Sequence, residues 1–173
     1  MILNPQEMVE AERHLIEGGI NPESLMDEAG LGIANAVSQF FPQPGTLFVF
    51  VGHGHNGGDA LVAARHLKAR GWITKLKFAT SINNLKPLTS KKLHEFEKEP
   101  ARPNRLYDSG QKLPLISIDG LLGIGASGDL RPGYLELAIE INSLRDNYHA
   151  VTFSLDIPSG LDGKSGNAYE GAV

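Results

Sequence analysis

The sequence predicts an α/β fold with a mostly parallel sheet and helices packed on both faces of that sheet. Apolar runs of strand length alternate along the chain with segments of helical periodicity, an order that implies right-handed crossovers and parallel strands. The clearest apolar runs end in loops rich in glycine and acidic residues. The length of 173 residues suits one compact domain, so we expect residues 1–173 to form a single domain.

Two helices are predicted at the start of the chain. Asn4 as N-cap and Glu7 three residues later form a capping-box pattern, and the first helix ends at Gly18. A second helix begins at Asn21 and runs to about Phe41. Its apolar residues recur at helical spacing and predict one buried stripe: Leu25, Met26, Ala29, Ile33, Val37 and Phe40.

Four apolar runs predict strands, and three later segments predict helices. The first run, "TLFVFVG", is apolar throughout, which is typical of a strand buried on both faces of a parallel sheet. The other strands are predicted at "WITKLKFA", "LPLISIDGLLG" and "AVTFSLDIPSG", the last of which we also expect to be buried. The helices are predicted at "GDALVAARHLKARG", as a short surface helix in "SKKLHEFEKE", and from Pro132 to about Arg145.

The composition excludes several classes of function. The sequence has no cysteine, which excludes disulfides, thiolate metal sites and cysteine nucleophiles. Its formal net charge of -4 argues against broad electrostatic binding to nucleic acid. No apolar run approaches the roughly 18 residues of a membrane span, and the polar, acidic start is unlike a signal peptide. We therefore expect no membrane span, no nucleic-acid partner and a cytoplasmic location.

Three loops carry the residues that point to a function. They read "VGHGHNGGD", "IDGLLGIGASGD" and "LDIPSGLDG", and each follows a predicted strand. Ligands of open parallel sheets bind beyond the carboxyl ends of the strands. We therefore expect the three loops to lie on one rim of the sheet and to bind a ligand there.

The first loop is the richest in glycine. Gly52, Gly54 and Gly57 satisfy the pattern G-x-G-x-x-G between a strand and a helix. The fingerprint of nicotinamide-dependent dehydrogenases also needs an acid at the end of the next strand, and "FATS" has none there. Glycines let backbone N–H groups approach a ligand, and a helix beginning near Gly57 would direct its positive end to the same place. Asp59 is expected in the first turn, where the helix dipole stabilises its charge.

Four segments of the sequence together resemble one known family. "GHGHNGGDALVAARHL" is similar to "GPGNNGGDGLVAARHL", and "IDGLLGIG" to "DALFGIG", in the YjeF N-terminal domain family, the NAD(P)HX epimerases. "LDIPSGLDGKSG" resembles that family's "DIPSGLDADTG", and "GINPESLMDEAG" its "GIPSLELMERAG". The likeness runs in order from about residue 5 to residue 172, and it implies a Rossmann-like three-layer α/β/α sandwich.

The resemblance also implies an activity. The family's enzymes interconvert the R and S epimers of NADHX and NADPHX, hydrated cofactors with a hydroxyl at C6 of the reduced ring, so that a fused or separate dehydratase can restore NAD(P)H. The family is commonly dimeric, and we expect a homodimer here. The positions that match its NAD(P)HX contacts are His55, Asn56, Gly57, Gly58, Asp59, Gly123, Ile124, Gly125, Ala126, Ser127, Gly128, Asp129 and Asp156.

A potassium ion and a catalytic acid are further implications. Asn56, Asp119 and Ser159 match the family's potassium ligands, and their oxygen atoms suit an alkali cation rather than zinc. Epimerisation at C6 needs a group that protonates the leaving hydroxyl and then deprotonates the returning water, which is general acid–base catalysis. Asp156 is the residue we predict for that role.

The sequence departs from the family pattern at several positions. His53 stands in place of proline, His55 in place of asparagine, and Ala60 in place of glycine. The sequence also ends where the family continues through further strands, so the final strands of the sheet are expected to be missing. These departures favour one alternative, a non-catalytic dinucleotide-binding or scaffold member of the family. An unrelated dinucleotide-dependent oxidoreductase is the second alternative.

Overall fold

The computed structural model describes residues 4–102 and 113–173, and their strands form one parallel sheet. The strands follow the order β2-β1-β3-β4, and every neighbouring pair is parallel. The predicted α/β class and the parallel sheet are therefore confirmed. The strands are β1 Thr46–Val51, β2 Ile73–Phe78, β3 Leu115–Gly120 and β4 Val151–Ser154.

Helices flank this sheet on both faces. Asn4 accepts the backbone N–H groups of Gln6 and Glu7, and the Glu7 side chain accepts the N–H of Asn4, so the predicted capping box is present. Asn21 caps the second helix by accepting the N–H of Glu23. The helices are α1 Pro5–Glu17, α2 Pro22–Phe40, α3 His55–Ala69, α4 Pro87–Lys98 and α5 Pro132–Tyr148, with a short 3₁₀ turn at Ile82–Asn84.

The core lies on the two faces of the sheet, and the central strand β1 contributes to both. Leu47, Val49 and Val51 pack on one face with α2, α3 and α4. Phe50 points to the other face, where it meets Tyr134 and other residues of α5. This alternation follows from the period of two along a strand, and it produces the three layers that the sequence predicts.

Two predicted elements differ from the structure in extent. Helix α4 begins at Pro87, earlier than predicted, and it is more than a surface helix because Leu93 and Phe96 are buried in the core. The prediction missed this because the segment is rich in charge, and the buried residues lie on a narrow face. The strand β4 was expected to be buried, yet it is an edge strand whose residues are partly exposed or exposed.

The chain order defines a switch point in this sheet. From β1 the chain crosses to β2 on one side, and it later returns to β3 on the other side of β1. The loops after β1 and β3 therefore diverge and leave a crevice at the carboxyl ends of these strands. No helix within residues 4–102 and 113–173 is long and apolar enough to cross a membrane.

Candidate functional site

A cavity of about 860 Å³ occupies the crevice between the loops after β1 and β3. Its volume is typical of small-molecule sites. Helices α1 and α2 form one wall, and the loop after β4 contributes at the other side. The lining residues are Val9, Glu12, Glu28, Ala29, Gly32, Ile33, His53, Gly54, His55, Asn56, Asp59, Lys86, Leu121, Leu122, Gly123, Ile124, Gly125, Ala126, Arg131, Leu155 and Asp156.

The glycines after β1 bring α3 into close contact with the sheet. The helix begins at His55, two residues before the predicted start, so that Gly57 and Gly58 are buried inside it. A Cβ atom at Gly57 would overlap the carbonyl group of Gly52, and one at Gly58 would lie 2.5 Å from the sulfur of Met26. Close packing of α3 therefore accounts for these two glycines, for which the expected reason was access of a ligand to the backbone.

Ala60 stands where the family pattern has glycine, and the structure accommodates its methyl group. The residue is fully buried in α3. It packs against Gly120 at the end of β3, and a Cβ atom at Gly120 would collide with the methyl group of Ala60. Gly120 thus supplies the space at this contact, and Ala60 fits without displacing α3 from the sheet.

The environment of Asp59 contradicts the prediction for this residue. Gly54 is the N-cap of α3 and the first turn carries no acid, so Asp59 lies beyond the turn in which the dipole would stabilise it. Burial, together with the nearby carboxylates of Asp156 and Glu12, raises the pKa of Asp59 from 3.8 to about 7. A carboxyl group with such a pKa holds a proton for much of the time near neutral pH.

Asp156 faces the same cavity from the loop after β4. Its backbone has φ of 69° in the left-handed region, which few residues other than glycine adopt. The carboxylate oxygen Oδ2 accepts the N–H of Ile124 at 2.9 Å. A Cβ atom at Gly123 would lie 2.5 Å from this oxygen, so the glycine allows the carboxylate to reach the loop after β3. This contact joins the loop after β4 to the loop after β3 at the cavity.

Asp119 lies fully buried beneath the floor of the cavity. Its Oδ1 atom accepts the Ser159 hydroxyl at 2.6 Å and the N–H of Leu121 at 3.3 Å. Its Oδ2 atom accepts the N–H of Ser159 at 2.8 Å and the Ser154 hydroxyl at 3.1 Å. Burial raises the pKa of Asp119, and these hydrogen bonds oppose the rise.

The backbone N–H and carbonyl groups of Leu122 connect the three residues predicted to bind potassium. The Asn56 amide donates to the carbonyl oxygen of Leu122 at 2.9 Å. The Ser159 hydroxyl accepts the N–H of Leu122 at 3.0 Å and also donates to Asp119. Within the described residues no lysine, arginine or histidine forms an ion pair with Asp119. The Asp119 carboxylate therefore lies beside the amide of Asn56 and the hydroxyl of Ser159, and such oxygen-bearing side chains are of the kind that bind an alkali cation.

A different kind of metal site is not indicated. In the part of the chain that the structure describes, no three His, Cys, Asp or Glu side chains lie together in a way that could hold a metal ion. The potassium set belongs to another class, because two of its members contribute an amide and a hydroxyl oxygen. Its role as a cation site stays a prediction.

Basic side chains lie on another part of the cavity wall, and the sequence analysis assigned them no role. His53 Nδ1 lies 2.7 Å from the hydroxyl of Tyr134. The backbone carbonyl oxygen of His53 accepts the N–H of Lys86, and the guanidinium group of Arg131 lies over the Tyr134 ring. Burial, with Lys86 and Arg131 nearby, lowers the pKa of His53. A signal was present in the sequence, because Lys86 and Arg131 each precede the proline that begins a helix.

The other predicted substrate contacts lie in different places. The N-terminal part of the loop after β3 lines the cavity, as do His55 and Asn56. Ser127 and Gly128 line a separate small cleft beside Ile157, and Asp129 is an exposed residue that lines neither space. The structure therefore gathers most, but not all, of the predicted positions around one cavity, and their contact with a substrate stays a prediction.

A second cavity, of about 520 Å³, lies at the opposite edge of the sheet. Phe40, Phe41 and Pro114 are among the residues that line it. The described residues around it include no carboxylate, lysine or arginine. Among the described residues, this cavity therefore lacks the charged side chains that line the cavity at the carboxyl ends of the strands.

Comparison with known proteins agrees with this geometry. Residues 22–173 match the family described as YjeF-related protein N-terminus. The chain belongs to this family. The crystal structure of a yeast protein, YNL200c, superimposes with a TM-score of 0.75, covering all of this chain and 76% of the yeast chain at 24% identity. That likeness supports the fold of the YjeF-related family for this chain.

Several relatives in the YjeF-related family carry functional names. An NAD(P)H-hydrate epimerase of Cenarchaeum symbiosum is 29% identical over the whole of this chain and 81% of its own length. An NAD(P)H-hydrate epimerase of Rhodopirellula baltica is 31% identical over 84% of this chain and 59% of its own. A bifunctional NAD(P)H-hydrate repair enzyme of Archaeoglobus fulgidus is 35% identical over 90% of this chain, which spans only 31% of that protein.

Proposed function

We propose that this chain is an NAD(P)H-hydrate epimerase, an isomerase that interconverts the R and S forms of NADHX and NADPHX. Family membership and the names of the relatives support the reaction class. The observation that carries the proposal for this chain is the meeting of Asp59 and Asp156 in one cavity beside the glycine loops.

The chemistry requires a proton to move at one oxygen atom. The C6 carbon bears a hydroxyl beside the ring nitrogen, so protonation of this hydroxyl lets it leave as water and forms a conjugated iminium ion. Water then adds to either face of the ring and loses a proton to the carboxylate that protonated the leaving group. This sequence returns the catalyst to its starting state and exchanges the two epimers.

Asp156 is the group that we assign to this proton transfer. The N–H of Ile124 holds one carboxylate oxygen, and the left-handed backbone directs the side chain to the loop after β3. Asp59 lies close enough to interact electrostatically with Asp156, and its raised pKa keeps a proton in the cavity near neutral pH. A protonated Asp59 beside Asp156 is a source of the proton that Asp156 delivers to the leaving hydroxyl, and nearby carboxylates also favour a cationic iminium ion.

We infer a supporting potassium site at Asn56, Asp119 and Ser159. The buried carboxylate of Asp119 would supply the charge, and the neutral oxygen atoms of Asn56 and Ser159 would complete the ligand set. When bound, the cation would offset the negative charge of phosphates near the loops after β1 and β3. The network around Leu122 supports this inference because it already holds the three residues together.

The substitution Asp156→Asn tests the proposed reaction. It preserves the shape of the side chain but removes the titrating group, and general acid–base groups contribute about 10²–10⁴-fold in rate. We expect R-to-S conversion of NADHX, measured with a dehydratase specific for the S form, to fall by that factor. Affinity for the dinucleotide should change far less.

The matched control is Asp146→Asn, which makes the same change at an exposed residue of α5. It should leave the conversion rate unaltered. Conversion by folded Asp156→Asn protein at the wild-type rate, after subtraction of the spontaneous reaction, would remove Asp156 from the mechanism. Tight dinucleotide binding by wild-type protein without conversion would instead support a non-catalytic member of the family.

A further inference from the structure

The cavity has an uneven distribution of charge. The carboxylates of Asp156 and Glu12 help to raise the pKa of Asp59. The positive charges of Lys86 and Arg131 help to lower the pKa of His53. The carboxylates therefore gather at one part of the wall and the cationic groups at another. A ligand that carries negative groups at some distance from a neutral or cationic ring would complement this distribution.

We propose that His53, Lys86 and Arg131 form a subsite that binds a phosphate group of the substrate. This inference rests on the proposed function for the identity of the substrate, but the chemistry of the subsite does not depend on turnover. The expected ligand is a phosphate ester or diphosphate, and in a hydrated dinucleotide it is either the central diphosphate or the 2′-phosphate of NADPHX.

The side chains of the subsite are available for a ligand. Within residues 4–102 and 113–173, neither Lys86 nor Arg131 forms an ion pair with a carboxylate. Arg131 lies over the ring of Tyr134 with 5.2 Å between its Cζ atom and the ring centroid, and a guanidinium group in this position can still donate hydrogen bonds from the edges of its plane. Tyr134 in turn fixes the imidazole of His53 through the 2.7 Å contact between its hydroxyl and Nδ1.

The backbone around these side chains adds to the positive potential. Lys86 and Arg131 are the N-caps of α4 and α5, and no side-chain acceptor caps either helix. A cation at a helix N-terminus is unfavourable because the macrodipole is positive there. Helices α1 and α2, by contrast, are capped by the side chains of Asn4 and Asn21. A bound phosphate would offset the charges of both cations beside the positive ends of the two helices.

Binding measurements with variants of both cations test the subsite. A hydrogen bond to a charged group contributes about 1.5–3 kcal/mol, so Lys86→Gln and Arg131→Gln should each weaken the binding of NADP⁺ about tenfold or more. Matched controls lie at the other ends of the same helices, where Lys98→Gln and Arg145→Gln remove the same charge. Titration calorimetry should show wild-type affinity for both controls.

The choice of probe separates the two phosphate sources. A loss that is equal for NAD⁺ and NADP⁺ would assign the subsite to the central diphosphate, and a loss confined to NADP⁺ would assign it to the 2′-phosphate. Nicotinamide riboside, which has no phosphate, should bind the variants and the wild type equally well. A similar loss for nicotinamide riboside would show that the substitutions disturb the cavity in general, and it would overturn the proposal.

A second measurement uses wild-type protein and so does not depend on the folding of a variant. The imidazole of His53 should titrate at higher pH when NADP⁺, which carries both kinds of phosphate, is added to wild-type protein, because an anion offsets the charges of Lys86 and Arg131. Nuclear magnetic resonance can follow this titration. An unchanged His53 titration at saturating ligand, or variants that bind every probe as the wild type does, would overturn the subsite. These binding results remain informative if the protein fails to epimerise NADHX.

Discussion

The substitution Asp59→Asn should make the protein more stable at neutral and alkaline pH. The pKa of Asp59 is raised from 3.8 to about 7 by burial and by the carboxylates of Asp156 and Glu12. Within the described residues, no hydrogen-bond donor to its carboxylate compensates for this burial. Ionised Asp59 therefore destabilises the folded state, whereas the isosteric asparagine carries no charge.

The sign and size of the effect follow from the pKa. Because the folded pKa exceeds the unfolded value, the contribution of Asp59 to stability is fully present below about pH 4 and is lost as the pH rises to about 7. A shift of about three pH units corresponds to about 4 kcal/mol. The advantage of Asp59→Asn over wild type should grow by about 2–3 kcal/mol between pH 5 and pH 8, and a domain of this size should gain roughly 5–10 °C in melting temperature.

Urea unfolding of both proteins at several pH values measures this difference. The control Asp146→Asn alters an exposed residue whose ion pair with Arg145 is solvent-accessible, and exposed pairs contribute little, so its difference from wild type should be small at every pH. If the difference in unfolding free energy between Asp59→Asn and wild type stays constant with pH, or is larger at pH 5 than at pH 8, the pKa of Asp59 is not raised in the folded protein.

Two further predictions concern the cation and the packing of α3. Exchange of potassium for a bulky organic cation should lower the thermal stability and the dinucleotide affinity of wild-type protein, and Asp119→Ala should lower both as well. If stability and affinity stay the same after the exchange, there is no potassium site at Asn56, Asp119 and Ser159. Gly57→Ala should destabilise the protein by about 1–3 kcal/mol or more in chemical denaturation, because its Cβ atom would overlap the carbonyl of Gly52. A variant as stable as the wild type would show that α3 can move away from β1.

The sequence predicted the strands and the helix starts well, because strand patterns and caps are local signals. The capping box at Asn4 and Glu7 and the helix start at Pro132 depend on neighbouring residues alone. The apolar runs likewise identified each strand within the residues that the structure describes. The edge position of β4 was missed because a run of apolar residues gives no information about which strands lie at its sides.

The candidate site was predictable only in part. The three loops could be placed on one rim because parallel strands end at the same edge of a sheet. The surroundings of Asp59 could not be foreseen, because they depend on Glu12 from α1 and Asp156 from β4's loop, residues far apart in the sequence. The prolines after Lys86 and Arg131 placed both residues at helix starts, but the sequence could not show that these two starts lie together beside His53.

The position of Asp59 favours a role in the cavity over a role in the fold. A carboxyl group that caps a helix or forms an ion pair stabilises a protein when it is ionised, and its pKa then falls. Asp59 has the opposite property, since ionisation at this position weakens the folded state near neutral pH. A ligand ring that becomes cationic beside Asp59 and Asp156 would offset the repulsion between them. An iminium ion formed from a hydrated nicotinamide is such a ring, so the acidic part of the cavity suits the ring of the substrate and the basic part around His53 suits its phosphates.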